Sequence, residues 1–197
     1  MALEPSRKQV THDRILDTAA RALRASGFAG VGVADVMQQA GLTHGGFYAH
    51  FGSRDELLAE ALEQAGRHSR ERLQRGVAAG EAQGMSRFRA LVESYLADRH
   101  LQSPESGCPV AALASEMPRQ VPQVREAGAG RVRSLLAFVD EALGADHPPD
   151  TAGLVAAQLV GTLQLARALG DTAAGRAMLA AAREALVAQY DTPAAGA

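Results

Sequence analysis

Apolar and polar side chains alternate along nearly the whole chain with the 3.6-residue period of amphipathic helices. One stripe shows the spacing clearly, at i, i+3, i+4, i+7 and i+8: Phe88, Leu91, Val92, Tyr95 and Leu96. The pattern predicts an all-α protein. Its expected helices span 11–28, 33–40, 43–51, 53–75, 86–96, 109–117, 124–143, 151–169 and 172–190, with Thr11 capping the first.

The stretch 41–58, GLTHGGFYAHFGSRDELL, carries the sharpest local signals. Gly41 follows an apolar helical run, where a glycine supplies the left-handed backbone that ends a helix. Thr43 is placed to cap a second, very short helix. Ser53, followed three residues later by Glu56, predicts a capping box for the next helix. Two short helices joined by a tight turn form a helix-turn-helix, whose second helix can enter a DNA major groove.

This run is similar to the DNA-binding signature of the TetR family of bacterial transcription regulators, which reads roughly TxGxxYxHFxS(K/R)xxL. The matching positions are Thr43, Gly45, Tyr48, His50, Phe51, Ser53, Arg54 and Leu57, and the segment 14–28 resembles the family's first helix. The resemblance implies a three-helix DNA-binding head at 1–52 and a ligand-binding, dimerising helical body at 53–197. The match is specific over the head and much looser beyond it.

From their positions on or beside the predicted recognition helix and from their chemistry, we expect seven residues to contact DNA: Thr43, His44, Gly45, Gly46, Tyr48, His50 and Arg54. The first four lie at the N-terminal end of the recognition helix, which approaches base edges. Tyr48, His50 and Arg54 are expected to donate hydrogen bonds to phosphate oxygens. For His50 the alternative is a packing or capping histidine. Phe47 and Phe51, four residues apart, are expected to share a core-facing side.

The head also departs from the family pattern. The family begins its second helix with Thr or Ser, whose hydroxyl caps the helix and meets a phosphate, but Val31 and Gly32 stand here. Backbone amides at this helix start could still bind a phosphate. Residues 1–10, with Arg7 and Lys8, form a polar arm that is either a disordered tail or a basic arm touching DNA.

Charge adds little general attraction for nucleic acid. The formal net charge is -2, and residues 1–54 carry 6 Lys and Arg against 4 Asp and Glu. Any DNA affinity must therefore come from locally placed groups and from doubling in a dimer.

The stretch 102–122, QSPESGCPVAALASEMPRQVP, is the second informative one. Cys108 precedes a proline at a predicted helix start, where the helix dipole favours a thiolate. The segment GCPVAALASE also resembles the corresponding segment of a TetR subgroup in which a cysteine at this position can respond to electrophiles or oxidants. The alternative is an inert, half-buried small apolar residue. A non-covalent effector is expected among helices carrying Phe88, Tyr95, Met117 and Phe138, which also serve as core.

The last two predicted helices, 151–169 and 172–190, form an antiparallel pair joined by Gly170-Asp171. The first has almost no polar face, and such a helix needs burial nearly all round. We therefore expect a homodimer through 151–190, as the resemblance also implies, with Leu159 and Leu163 in its interface.

The remaining features limit the classes of protein to which this sequence can belong. A single cysteine excludes an internal disulfide framework and favours a reducing cytoplasm. The longest uncharged apolar run, 152–166, falls short of the ~20 residues of a membrane span, and no signal-peptide pattern opens the chain. We find no paired carboxylates, clustered metal ligands, phosphate loop or nucleophile–base arrangement. His44, His50 and Glu60 are poor candidates for a metal site because DNA contact explains the two histidines better. No cofactor, metal or enzymatic activity is therefore expected.

The sequence thus predicts a cytoplasmic, sequence-specific transcriptional regulator that binds a near-palindromic double-stranded operator as a dimer. Repression is the family default, with release by a small-molecule effector or by modification of Cys108. Two alternatives stay open. One is a helical small-molecule-binding protein or enzyme, and the other is a degenerate head that binds no DNA because its Thr/Ser cap is missing.

Overall fold

The computed structural model describes residues 6–191, and every regular element in that range is a helix. The all-α prediction is confirmed. The α-helices are α1 Arg7–Ser26, α2 Val33–Gln39, α3 Arg54–Glu81, α4 Arg87–Tyr95, α5 Asp98–Gln102, α6 Pro109–Leu113, α7 Pro122–Leu143, α8 Thr151–Leu169 and α9 Ala173–Tyr190. Short 3₁₀ helices occur at His44–Ala49, Pro104–Ser106 and Met117–Arg119.

Buried apolar side chains form two clusters that share α3. The head cluster combines α1, α2 and the 3₁₀ helix His44–Ala49 with α3 residues up to Leu62. The body cluster combines α3 from Leu73 onward with α4 and α6 to α9. The head cluster also includes Leu113, Met117 and Val124 from the body. The two parts are therefore packed together, and the head's core extends beyond residue 52.

The helix α1 begins earlier than predicted. Ser6 has an extended backbone, and its Oγ accepts the amide hydrogen of Gln9 at 3.2 Å. Thr11 lies inside the helix and donates its hydroxyl to the carbonyl of Arg7 at 2.9 Å. The predicted cap at Thr11 is wrong because Ser6 supplies a capping hydroxyl five residues earlier. Arg7 and Lys8 therefore lie in a helix, and residues 1–5 of the expected arm lie outside the described range.

The helix α3 continues to Glu81, beyond its predicted end at residue 75, through a glycine-rich stretch. A Cβ atom on Gly80 would lie 2.5 Å from Cβ of Ala90, and one on Gly76 would clash with Oγ of Ser94. These glycines serve the close approach of α3 and α4, which offsets their low helix propensity. The turn comes later, at Gly84, whose φ of 83° is left-handed.

Most body helices match their predictions. Oγ of Ser86 accepts the amide of Arg89 at 3.0 Å and caps α4, whose predicted apolar stripe is buried. The helix α8 has its predicted bounds, and α9 follows a cap by Thr172. The predicted helix 109–117 is shorter, because α6 ends at Leu113 and a 3₁₀ turn follows. Pro118 lies inside that 3₁₀ turn, Met117–Arg119.

The helix α8 is long and apolar enough, by length and composition, to cross a membrane. It has 19 residues and a mean hydropathy of 1.3, while its uncharged apolar run remains 152–166. Val155, Leu159 and Leu163 are fully buried in the body cluster. In the apolar window of this helix 33% of the residues are buried, and core helices of soluble proteins meet the same length and composition criteria.

The buried side of α8 corrects the expected interface residues. Leu159 and Leu163 lie in the chain's own core, whereas Leu154 and Leu165 on the opposite side are each 60% exposed. The apolar surface left for a partner is therefore formed by the second pair.

Candidate nucleic-acid interface

The expected recognition helix is a 3₁₀ helix, His44–Ala49, rather than an α-helix. Thr43 occupies the cap position with an extended backbone, but its hydroxyl accepts no capping hydrogen bond. The Gly46 amide instead donates to the Thr43 backbone carbonyl at 3.0 Å. The predicted side-chain cap is therefore wrong. The i to i+3 hydrogen bonds of a 3₁₀ helix suit Gly45-Gly46, because glycine has a low propensity for the α-helix.

The outer surface of this element is unusually free of internal contacts. Thr43, His44 and Gly45 are exposed, and Tyr48 is 71% exposed. A Cβ atom on Gly45 would meet nothing within 4 Å. Neither close packing nor a positive φ requires glycine there, so Gly45 leaves a flat surface that a partner can approach closely.

The inner surface holds the element in place. Phe47 and Phe51 are buried and stack with ring centroids 5.5 Å apart, as predicted. Gly41 closes α2 with φ of 70°. The Glu56 amide donates to Oγ of Ser53 at 3.1 Å, which confirms the cap of α3. The Glu56 carboxylate also accepts the amide of Gly52 at 2.6 Å, so both ends of the 3₁₀ helix are fixed.

Arg54 has a structural role that the sequence did not reveal. Its Nε donates to the carbonyl of Val31 at 3.1 Å, and a terminal nitrogen donates to the carbonyl of Phe28 at 2.5 Å. These bonds join the start of α3 to the loop before α2. Arg54 therefore fixes the start of α3 against this loop, and its contact with phosphate remains a prediction.

His50 is half-buried beside His12, with ring centroids 6.0 Å apart, and within residues 6–191 its buried Nδ1 has no hydrogen-bond partner. Burial, and then the positive charges of His12 and Lys8, lowers the pKa of His50. His12, which sequence analysis missed, stacks on Phe51 at 4.6 Å and lies 2.9 Å from the Glu60 carboxylate. These contacts favour the packing alternative for His50.

Between residues 6 and 191 no group of three or more His, Cys, Asp and Glu side chains could hold a metal ion.

The start of α2 is less suited to phosphate than expected. Gly32 is the cap residue and offers no side-chain hydrogen bond, and Val31 is buried in the head cluster. A Cβ atom on Gly32 would lie 2.9 Å from Oδ2 of Asp35. The carboxylate of Asp35 therefore lies beside the free amides of this helix start, where it opposes an approaching phosphate.

Comparison with known proteins decides the family. Residues 15–61 match the family described as bacterial regulatory proteins, tetR family, and residues 84–182 match the tetracyclin repressor-like C-terminal domain. The chain belongs to the TetR family. It is therefore a helix-turn-helix, DNA-binding transcription regulator. The subgroup suggested by GCPVAALASE stays a prediction.

The TetR-family chain has relatives of known sequence and structure. It is 29% identical over 175 residues to an uncharacterised HTH-type transcriptional regulator of Mycobacterium tuberculosis H37Rv, covering 83% of this chain and 87% of that protein. A TetR transcriptional regulator from Chloroflexus aurantiacus superposes with a TM-score of 0.73 at 24% identity, covering 93% and 96% of the two chains. Reduced NemR of E. coli superposes with a TM-score of 0.74 at 22% sequence identity, covering 94% of this chain and 99% of that chain. These structural likenesses show the fold alone.

The five residues expected around an effector in this TetR-family body are not gathered in one place. Cys108 and Phe138 line a cavity between α3, α6 and α7. Phe88 packs against Tyr190 with ring centroids 6.1 Å apart. Met117 belongs to the head cluster.

Tyr95 is fully buried on the other side of Cys108, in T-shaped contact with His100 at 5.0 Å. Burial, and then the neighbouring Cys108, raises the pKa of Tyr95 well above its ordinary value.

Cys108 is shielded from solvent. It is 3% exposed at the start of α6, a helix of only five residues. Its backbone amide donates to Nε2 of His100 at 3.0 Å, while Nδ1 of His100 bonds the Tyr95 carbonyl at 2.6 Å. This environment favours the interpretation of Cys108 as a small buried apolar residue.

The side chains of Glu116 and Arg24 are among those that connect the head of the TetR-family protein to its body. The Glu116 carboxylate accepts the Phe28 amide at 3.0 Å. Arg24 of α1 is 5% exposed and donates to the carbonyls of Glu105 at 2.6 Å and Ala65 at 3.2 Å. Burial, assisted by the charge of Arg72, lowers the pKa of Arg24 to about 10, so it stays charged at neutral pH. A charged residue on the apolar stripe of α1 was the sequence signal for this contact.

Proposed function

We propose that this regulator is a cytoplasmic homodimeric repressor that binds a near-palindromic double-stranded operator. The observation that carries the proposal is the exposed surface of the 3₁₀ helix, where Thr43, His44 and Gly45 are exposed and Tyr48 is 71% exposed although the edge of its ring contacts Phe47. In our proposal Thr43, His44, Gly45 and Gly46 approach base edges, and Tyr48 donates to phosphate. Arg54 and His50 position this surface, and their remaining N–H groups contact phosphate secondarily.

The dimer is proposed to form through the outward side of α8 and α9. Leu154 and Leu165 are 60% exposed and Leu169 is 46% exposed, all three on α8. Large exposed leucines on one helix are unfavourable in water and are typical of a surface that a partner covers. A two-fold axis through this helix pair would place two heads on one operator.

Effector control is proposed to act through the contacts of α1. Glu105 and Glu116 lie on either side of α6 in the sequence. The carbonyl of Glu105 accepts a hydrogen bond from Arg24 of α1, and the carboxylate of Glu116 accepts one from the amide of Phe28, just beyond the end of α1. An effector that moves α6 would therefore shift the head relative to the body. Such a ligand releases DNA by favouring a spacing of heads that no longer fits successive major-groove turns.

The effector is proposed to be non-covalent, because the Cys108 thiol is shielded. If Cys108 were the sensor, a small alkylating reagent would modify the folded protein rapidly and release DNA. Cys108→Ser would then bind DNA normally and lose the response. We expect slow modification and an unchanged effector response in this variant.

Gel-shift titration against the DNA upstream of the protein's own gene tests the proposal. Tyr48→Phe should weaken binding to all sequences alike, because it removes a phosphate contact. His44→Ala should change which operator variants are preferred. His147→Ala, in the loop before α8, is the matched control.

The same titration separates the alternatives. A folded wild-type protein that binds no more tightly to the upstream DNA than to scrambled DNA would support the degenerate head. If it nevertheless bound small ligands, the carrier or enzyme alternative would be favoured.

A further inference from the structure

The cavity between α3, α6 and α7 combines an apolar lining with arginine side chains. It has a volume of about 100 Å³. Leu73, Val110, Leu135 and Phe138 supply apolar surface, and Arg67, Arg70 and Arg131 supply positive charge. Such a combination suits a ligand that is apolar at one end and anionic at the other.

The three arginines differ in what they already bind. Nε of Arg67 donates to Oε1 of Gln64 at 3.0 Å. The guanidinium of Arg70 lies 5.3 Å from the centre of the Phe138 ring and 3.8 Å from the Glu141 carboxylate. Nε of Arg131 is buried and, among the residues that the structure describes, has no hydrogen-bond partner. A buried donor without an acceptor is unfavourable, so Arg131 is the group that a ligand would satisfy.

The opposing wall of the cavity is shaped to receive Arg131. A Cβ atom on Gly66 would lie 2.5 Å from Cδ and 2.6 Å from a terminal nitrogen of Arg131. Gly66 lies within α3, where it has no positive φ to explain a glycine. The missing side chain therefore lets the guanidinium lie against α3 at the cavity.

The volume limits the size of the apolar part. A cavity of roughly 150 Å³ lined by apolar side chains holds one benzene molecule in another protein. By proportion, a cavity of this size accepts about four carbon atoms. A guanidinium matches a carboxylate through two parallel hydrogen bonds, which an uncharged amide cannot reproduce.

We propose that this cavity binds a short aliphatic monocarboxylate, with the carboxylate on Arg131 and the alkyl chain against Leu73, Val110 and Phe138. The inference rests on the proposed function, because this ligand would be the effector. It would lie against the start of α6, the helix that is flanked in sequence by the two residues that contact the head, Glu105 and Glu116.

Three probes test the chemistry on the DNA-free full chain by ¹H–¹⁵N NMR titration. Pentanoate carries both the alkyl chain and the charge, pentanamide carries the chain alone, and acetate carries the charge with almost no chain. We expect pentanoate to bind at least tenfold more tightly than either of the others. Equal affinity for pentanoate and pentanamide would overturn the proposal.

Variants locate the site. Arg131→Gln should reduce pentanoate affinity at least tenfold and leave pentanamide binding unchanged. Arg133→Gln is the matched control, because Arg133 lies on the same helix, is largely exposed and pairs with Glu126. Gly66→Ala retains the charge but displaces the guanidinium, so it should also weaken pentanoate binding. Unchanged pentanoate affinity in Arg131→Gln would overturn the assignment, and Gly66→Ala provides the same test if Arg131→Gln does not fold.

The readout separates this inference from the proposed function. A protein that binds its operator specifically but shows no preference for pentanoate would refute the cavity assignment alone. A protein that prefers pentanoate through Arg131 but binds no operator would refute the regulatory proposal and leave the cavity assignment standing.

Discussion

The Glu116 carboxylate in the body accepts the backbone amide of Phe28, just beyond the end of α1, at a distance of 3.0 Å. The intervening Gly27 has φ of 70°, and a Cβ atom there would lie 2.6 Å from the same carboxylate. A left-handed glycine and a distant glutamate thus form one contact between head and body. In our proposal, this contact couples the effector site in the body to the head.

Replacing Glu116 tests that contact. Glu116→Ala leaves the part-buried Phe28 amide without its acceptor and should lower the free energy of unfolding by about 1–3 kcal/mol. Glu126→Ala, which removes an exposed ion-paired carboxylate, should change it by less than about 0.5 kcal/mol. Urea unfolding monitored by circular dichroism measures both. Equal stability of the two variants would show that the contact contributes nothing.

Two glycines of the head should respond oppositely to alanine. Gly41→Ala forces a Cβ atom into a left-handed backbone and should destabilise the protein by about 1–2 kcal/mol. Gly45→Ala has free space around its Cβ and should keep full stability, but the new methyl group should weaken operator binding. Thermal unfolding and gel-shift titration are the measurements. Wild-type affinity in Gly45→Ala would remove Gly45 from the DNA surface.

The outward side of α8 predicts a separation between assembly and folding. Leu154→Glu with Leu165→Glu should give a folded monomer, because both side chains are exposed within one chain. Leu159→Glu places a charge in the chain's own core and should unfold it. Light scattering after size exclusion, together with circular dichroism, distinguishes these outcomes. A dimeric double variant, or a monomeric wild-type protein at micromolar concentration, would contradict the proposed interface.

The buried His100 predicts a loss of stability in mild acid. Burial, and then the charge of Arg72, lowers its pKa to about 3 from the ordinary histidine value of about 6.5. Between these values the unfolded chain binds the proton and the folded chain does not. The stability present above the unfolded pKa is therefore lost as pH falls, by about 2 kcal/mol between pH 7.5 and pH 5.

Urea unfolding at several pH values measures this loss. His100→Gln should flatten the pH dependence whatever its absolute stability, and the exposed His44→Gln should keep the wild-type slope. An unchanged slope in His100→Gln would assign the acid sensitivity to other groups.

The sequence predicted the elements whose signals are local. Gly41, Ser53 and Ser86 act as the helix end and caps that their neighbours suggested, and the bounds of α8 agree with the apolar pattern. Sequence-based prediction failed where a contact with a residue distant in sequence determines the structure. Gly76 and Gly80 resemble helix breakers in sequence, but they allow α4 to pack closely against α3. The sequence likewise does not show that Arg54 donates hydrogen bonds to the carbonyls of Phe28 and Val31.

The candidate sites divide in the same way. The outward position of Tyr48 and the burial of Phe47 follow from helical spacing within one short segment. The expected effector residues lie in three segments of the sequence, which does not reveal how these segments pack. Only the three-dimensional arrangement separates Met117 and Phe88 from the cavity. Arg131 and Gly66 were missed because neither is unusual in its own helix.

The central claim is that two heads of one dimer bind one operator. Fluorescence anisotropy with labelled upstream DNA, at protein concentrations far above the dissociation constant, counts the chains per duplex. The account predicts saturation at two chains per operator, and a loss of at least tenfold in affinity when one half-site is scrambled. Saturation at one chain per duplex, with the half-site bound as tightly as the whole operator, would contradict it.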